Sequence, residues 1–314
     1  MIEILFSAPY MIPVYSRFES EFTRRDIKVI IPEVNERLSE SELMEYAGKI
    51  DGAICGDDEF SASVLDASSP RLKVISKWGT GIDSIDQEAA DRLGIKVFNT
   101  PGAFTDPVAD SVIAYILAFA RRTIELDRLI KSGEWTKLPG FSLREQTLGV
   151  VGVGNVGKAV LRRANSFGMT LLGNDIVTID PNFIEVYDIQ MVSLPSLLQQ
   201  SDYVSLNCDL NPTSHHLIDR EKLRLMKSGA YIINTSRGSV VDEHALITAL
   251  NEKIIAGAGL DVFEDEPLPI SSPLCRMDNV LLAPHNANSS PEAWERVHEN
   301  TIRNLLIGLG FEDE

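Results

Sequence analysis

The stretch Leu148-Gly149-Val150-Val151-Gly152-Val153-Gly154-Asn155-Val156-Gly157 decides the fold. An apolar run passes straight into glycines spaced G-x-G-x-x-G and then into a helix-forming segment. Gly152 permits a tight turn, Gly154 lets a pyrophosphate approach bare backbone, and Gly157 lets the helix pack closely on the strand. Gly152, Gly154, Asn155, Val156 and Gly157 then form a cofactor-binding turn, with the phosphates at the positive end of the helix. Asp175 follows Gly157 by 18 positions, at the end of the next apolar run. A carboxylate placed there accepts hydrogen bonds from an adenosine ribose. Glycines at these offsets are a weak signal alone; the strand before, the helix after and the placed acid carry the reading. No Arg or Lys lies among residues 176–180. A 2′-phosphate would meet Asp175 with no cation to offset it, so NAD is expected over NADP.

Outward from this turn, the second half of the chain reads as a β-α series. Strands are expected at 149–153, 170–173, 203–206, 230–234, 257–260 and 280–283. Six such strands match a doubly wound parallel sheet. A first series precedes it, with strands expected at 2–6, 27–31, 52–55, 73–76 and 96–98 and helical segments such as 41–47 and 85–93 between them. Gly94 is a suitable stop for the latter. Alternation of this kind implies an α/β fold with helices on both sheet faces. One long helix is expected over 107–130, with Asp106 as N-cap and Pro107 first. It would link two domains, make a subunit contact or be an ordinary core helix. Residues 291–307 read as an amphipathic helix, and the acidic end "FEDE" as a frayed tail.

At 314 residues the chain has room for about two domains. The net charge of −17 argues against nucleic acid and anionic membranes as partners. An anionic substrate must therefore be caught by local positive groups. Three widely spaced cysteines, Cys55, Cys208 and Cys275, suit reduced thiols and a cytoplasmic location, and none lies in a C-x-x-C pair that would suggest a metal. The opening "MIEILFSAPY" has no basic leader, and no apolar run reaches the ~18 residues of a membrane span.

Polar residues with chemical potential follow the last three strands of the second series. "YIINTSRGSVVDE" places Arg237, "AGLDVFEDEP" places Asp261 and Glu266, and "VLLAPHNANSS" places His285. Open α/β sheets put their chemistry at such strand ends. Hydride transfer between a nicotinamide and a 2-oxo acid needs a proton donor at the carbonyl oxygen. A histidine titrates near neutrality and serves in both directions. A neighbouring carboxylate orients the imidazole and favours its charged form. An arginine grips a carboxylate or polarises the carbonyl. The other histidines lack this setting: His215 and His216 are expected to cap or stay in solvent, and His244 and His298 to lie on polar helix faces.

These motifs, "GVVGVGNVG", "NTSRGSVVDE", "LDVFEDEP" and "APH", stand in the order and spacing of one family, and "GTGIDSID" and "NTPGAFTDPVAD" also match. The chain resembles the D-isomer-specific 2-hydroxyacid dehydrogenases over nearly its whole length, nearest to phosphoglycerate-dehydrogenase-like members. The resemblance implies that Arg237 binds substrate, Glu266 pairs with the histidine and His285 is the acid/base. It implies that Asp261 holds the nicotinamide carboxamide. It also implies a Rossmann NAD domain at 99–285, inserted in a flavodoxin-like substrate domain formed by 1–98 and 286–314. The two crossings would form a hinge. A homodimer is implied, with the region from about 107 to 145 at its interface.

The loop "SKWGTGID" can form an anion nest, since Gly79 and Gly81 expose backbone N–H groups. The resemblance assigns Trp78, Gly79, Thr80 and Gly81 to the substrate carboxylate, with Lys77 adding positive charge. Three departures from the family pattern matter. "NANSS" follows His285 where small residues are usual. Asp209 stands where proline is common. Asp57, Asp58 and Glu59 of "CGDDEF" occupy a loop where phosphoglycerate enzymes often carry a basic phosphate ligand. These acids would repel a phosphate, so 3-phosphoglycerate is not expected to be the best substrate. The chain ends without room for the regulatory domain of longer relatives. An NAD(H)-sensing binding protein of the corepressor type is the alternative to an enzyme. Relatives of that type keep the Arg/Glu/His set, so turnover on 2-oxo acids separates the two.

Overall fold

The computed structural model describes residues 1–311; Glu312, Asp313 and Glu314, most of the expected acidic tail, lie outside them. The chain divides into two compact units, Met1–Phe104 with Ser290–Glu314, and Thr105–Ser289. The crossings thus fall between 104 and 105 and between 289 and 290, a few residues later than the boundaries drawn from sequence.

The first unit holds a parallel five-stranded sheet of β1 (Ile2–Phe6), β2 (Ile27–Ile30), β3 (Gly52–Cys55), β4 (Val74–Lys77) and β5 (Lys96–Phe98), in the order β2-β1-β3-β4-β5. β3 and β4 are buried at every position, as central strands covered on both faces must be. Leu5, Leu43, Ile50, Phe60, Leu65 and Ile75 fill one face. The helix Pro291–Gly308 covers the other and is tied to β4 by the Ser76 hydroxyl, which donates to the Thr301 carbonyl at 2.8 Å. The helix Gln87–Leu93 is capped by Asp86 and closed by Gly94 at φ +69°, the stop expected from sequence.

The second unit is a parallel seven-stranded sheet: β6 (Thr147–Val151), β7 (Thr170–Asn174), β8 (Ile189–Met191), β9 (Tyr203–Leu206), β10 (Tyr231–Asn234), β11 (Gly257–Leu260) and β12 (Val280–Leu282). Its order, β12-β11-β10-β9-β6-β7-β8, runs outward in both directions from β6, which makes the sheet doubly wound. The sequence reading expected six strands here and missed β8. That strand is a three-residue edge with an exposed Gln190 at its centre, too short to show a period.

The long helix expected over 107–130 is two helices. Thr105–Arg121 and Thr123–Lys131 are separated by Arg122, whose backbone is left-handed at φ +51°. Asp106 is not the N-cap, because the helix starts one residue earlier; Asp106 and Asp110 instead bind the Arg163 guanidinium at 2.9 and 2.6 Å. Arg163 lies on the helix Asn155–Ser166, so these ion pairs lock the two helices side by side over a core that includes Ala109, Val112, Ala159 and Val160. Among the described residues no helix is long and apolar enough to cross a membrane.

Candidate active site

β6 ends at Val151, and Gly152 turns with φ +86° against the C-terminal end of β9. A Cβ on Gly152 would lie 2.7 Å from the Cys208 nitrogen, and one on Gly157 would lie 2.0 Å from the Gly152 carbonyl oxygen. Both positions therefore demand glycine, one for the turn and one for the close packing of Asn155–Ser166 on it. A Cβ on Gly154, by contrast, meets nothing within 4 Å, so the turn faces open space there. Asp175 follows β7 and reaches back to the turn: its Oδ2 accepts the Val153 N–H at 2.6 Å and its Oδ1 the Val177 N–H at 3.0 Å. A carboxylate has about four acceptor sites, so two remain for ribose hydroxyls. The side-chain oxygens of Asn207 and Thr235, just beyond β9 and β10, are buried without a hydrogen-bond partner. Unsatisfied buried polar atoms along this sheet edge suit a bound polar group. The turn, the helix N-terminus, Asp175 and these atoms fit a dinucleotide.

The strands β10, β11 and β12 are adjacent and parallel, so the loops after them meet at one edge. Arg237 follows β10 in extended backbone, and its Nη1 donates to the Ser236 carbonyl at 2.9 Å. Gly238 lies against the next loop so tightly that a Cβ there would sit 1.9 Å from the Phe263 carbonyl carbon. In that next loop, Glu266 is fixed by the Phe263 N–H, which donates to its Oε1 at 2.9 Å. Its other oxygen, Oε2, lies 2.9 Å from Nδ1 of His285, in the loop after β12. A carboxylate only accepts, so Nδ1 carries the hydrogen and Nε2 is left for acid/base work. Both side chains are partly exposed, at 20 % for Glu266 and 23 % for His285. Asp261, directly after β11, is 2 % exposed. Its Oδ1 and Oδ2 accept the N–H groups of Asn286 and Ala287, each at 2.9 Å. Burial pushes its carboxyl above the usual carboxylate range, and these two N–H groups oppose that. The structure thus gathers the sequence-predicted Glu266 and His285 into one pair and packs the Arg237 loop against the Glu266 loop.

In the first unit, β4 runs into Trp78-Gly79-Thr80-Gly81. The carbonyls of Gly79 and Thr80 are taken by the Thr100 N–H and the Asn99 amide. Each bond turns the N–H of the same peptide, that of Thr80 and that of Gly81, the other way, as an anion nest requires. Trp78 contributes none of them: its backbone N–H donates to the Cys55 carbonyl at 2.9 Å, and its indole N–H to Nδ1 of His298 at 2.9 Å. Tyr10, Phe104 and Trp294 pack around its ring. Lys77 is only 3 % exposed; its ammonium donates to the Trp78 carbonyl and pairs with Asp57 at 3.1 Å, under the loop rather than on its surface.

Several expectations need correction. His298 is not on a polar helix face but is 4 % exposed, because its helix turns that side toward Trp78. His216 does not stay in solvent alone; its Nε2 lies 2.7 Å from Glu264 Oε1. Asp57, Asp58 and Glu59 are not an open anionic patch. Asp58 is fully buried, accepting from the Ser7 hydroxyl and from the Leu38 and Gly56 N–H groups. Asp57 pairs with Lys77 and Glu59 with Arg37. Two of the three acids thus face a cation and the third is sealed from solvent, which weakens the repulsion expected of this loop. The sequence reading also missed His298, Asn99 and Thr100. Their partners lie tens to hundreds of positions away, and no local pattern announces them.

The model of the "D-isomer specific 2-hydroxyacid dehydrogenase, NAD binding domain" matches residues 113–287. The chain is 43% identical over 284 residues to a glyoxylate reductase of Thermofilum pendens, covering 86% of this chain and 82% of that protein. It is 41% identical to a glyoxylate reductase of Thermococcus litoralis over 84% of this chain and 82% of the relative. Among solved structures it is similar to D-lactate dehydrogenase of Aquifex aeolicus complexed with NAD and lactic acid, with a TM-score of 0.86, 29% identity, and 96% and 93% of the two chains covered. The fold, the glycine turn, the Glu266–His285 pair and these likenesses agree: the chain belongs to the D-isomer-specific 2-hydroxyacid dehydrogenase family and is an NAD-dependent oxidoreductase of it.

Proposed function

We propose that this enzyme reduces glyoxylate, or a similarly short 2-oxo acid, to its 2-hydroxy acid, and runs the reverse reaction on glycolate, which is achiral, or on the D-isomer of a longer product. The Glu266–His285 pair carries this reading, and the glyoxylate reductases at 38–43% identity support the short substrate. NAD, when bound, supplies or accepts the hydride. Gly152, Gly154, Asn155, Val156 and Gly157 hold its pyrophosphate, and Asp175 takes the ribose hydroxyls. The Arg237 guanidinium binds the substrate in the second unit, and in the first unit the loop of Gly79, Thr80 and Gly81 offers N–H groups of the kind that take a carboxylate; such local donors answer the net charge of −17. Lys77 braces the loop from beneath, through the Trp78 carbonyl and Asp57, and Trp78 shapes the loop through its ring.

His285 gives the proton from Nε2 to the carbonyl oxygen during reduction and takes it back during oxidation. Glu266 keeps the proton-bearing Nδ1 turned inward and favours the imidazolium as it forms. Activity on 3-phosphohydroxypyruvate is the phosphoglycerate-dehydrogenase-like alternative. Initial rates at 340 nm with NADH decide between them. kcat/KM for glyoxylate or hydroxypyruvate should exceed that for the phosphorylated acid at least about tenfold, a difference of about 1.4 kcal/mol. The reverse order would transfer the assignment to the phosphorylated substrate.

A homodimer belongs to the same proposal. Trp135, 87 % exposed, follows the helix Thr123–Lys131, and Phe141, 57 % exposed, bonds to Ala120 at the end of the helix Thr105–Arg121; both lie in the region expected to form the interface. Three cysteines outside any disulfide suit a reducing cytoplasm.

A further inference from the structure

His285 has a left-handed backbone, at φ +50°. That conformation is costly for a residue with a side chain and persists only where surrounding structure enforces it. Asp261 binds the backbone of the turn that holds it. The carbonyl oxygen of Asp261 accepts the His285 N–H at 2.7 Å. Its carboxylate oxygens accept the next two, from Asn286 and Ala287, each at 2.9 Å. Three successive amides of the turn are thus bound by one aspartate. The far side of the turn is held separately: Ser111, on the helix Thr105–Arg121, donates its hydroxyl to the Ala287 carbonyl at 3.3 Å. Ala287 is 5 % exposed and Asp261 2 %, so water does not compete for these bonds.

We propose that Asp261 is the positioning residue of the acid/base, bracketing the 285–287 turn so that the His285 imidazole meets Glu266 at bonding distance. Ser111 is the second anchor of the same turn. The proposal rests on the reading of His285 as the acid/base. It gives Asp261 a task in the nucleotide-free protein, distinct from the nicotinamide contact that the family resemblance implies. In Asp261→Asn the amide NH2 faces a backbone N–H, so one bond becomes a repulsion and the turn loses its bracket. The left-handed backbone then relaxes and the imidazole leaves Glu266.

The test combines histidine side-chain NMR of the nucleotide-free protein with kinetics on NADH and glyoxylate. The His285 signal is identified by its loss in His285→Ala. In Asp261→Asn its titration should move to where Glu266→Gln puts it, because both changes break the same pair. kcat should fall about 10- to 100-fold, the cost of a misplacement of about 1 Å. The double variant should fall no further than the worse single one. The dissociation constant of ADP-ribose, which lacks the nicotinamide, should stay within twofold. An unmoved His285 titration in the nucleotide-free variant, with a raised KM for NADH and effects that multiply with Glu266→Gln, would overturn the proposal in favour of a nicotinamide contact alone. If Asp261→Asn does not fold, Ser111→Ala is read instead. A smaller displacement in the same direction supports the bracket, and none defeats it. Full turnover in His285→Ala would sink the acid/base assignment, and the NMR result would still report on the bracket.

Discussion

The Trp78 indole N–H donates to Nδ1 of His298 at 2.9 Å, joining the nest loop to the helix Pro291–Gly308 within the first unit. Only the neutral imidazole can accept that bond. Burial holds His298 below its ordinary value of 6.5; Glu295 opposes this and Arg17 reinforces it. The unfolded chain therefore binds the proton more readily than the folded one, so stability is full above pH 6.5 and is lost as pH falls below it. Melting temperature should drop by a few degrees more between pH 7.5 and pH 5.5 in the native protein than in His298→Gln, whose amide accepts without titrating. Parallel curves for the two proteins would remove His298 from the acid sensitivity.

The Glu266–His285 pair makes a second prediction. His285→Ala should lower kcat by about 10²–10⁴ while NADH still binds. Glu266→Gln keeps the hydrogen bond but removes the charge that favours the imidazolium. The pH profile of glyoxylate reduction, which needs that imidazolium, should move to lower pH. Steady-state kinetics from pH 5 to 9 read both effects, and an unshifted profile in Glu266→Gln would deny the carboxylate its tuning role.

Cofactor choice should follow Asp175, whose oxygens already order the Val153 and Val177 amides beside the glycine turn. kcat/KM should favour NADH over NADPH at least about 100-fold, since a like-charge contact costs several kcal/mol. Asp175→Ser should narrow the ratio, chiefly by losing NADH affinity. Equal use of the two cofactors by the native enzyme contradicts this account.

Gly238 is where the Arg237 loop touches the Phe263–Glu266 loop. Gly238→Ala places a methyl group 1.9 Å from a backbone carbon, which only a shift of one loop can relieve. We expect a loss of about 1–3 kcal/mol in urea unfolding and a larger fall in kcat/KM than in NADH affinity. A variant as stable and active as the parent would mean that the loops separate at no cost.

The dimer prediction is read by sedimentation. The native chain should have the mass of two copies, and Trp135→Ser with Phe141→Ser should shift it toward one copy at micromolar concentration. These side chains are too exposed in the single chain to contribute to its own core. A monomeric native protein removes the proposal.

The sequence by itself determined most of the two sheets and the glycine turn, and it marked Arg237, Glu266 and His285 as candidates. Each is written in local terms: β-α alternation, a fixed glycine spacing, a polar residue three to six places beyond an apolar strand. Parallel strands then carry those residues to a common edge without further information. Only the tertiary structure decided which groups meet side by side. The break at Arg122, the short edge strand β8, the burial of His298 and Asp58, and the three amides bound by Asp261 all depend on partners remote in sequence. A polar side chain looks the same in a string whether water or a buried donor will meet it. Its role is set by what packs against it, and packing is a property of the folded chain.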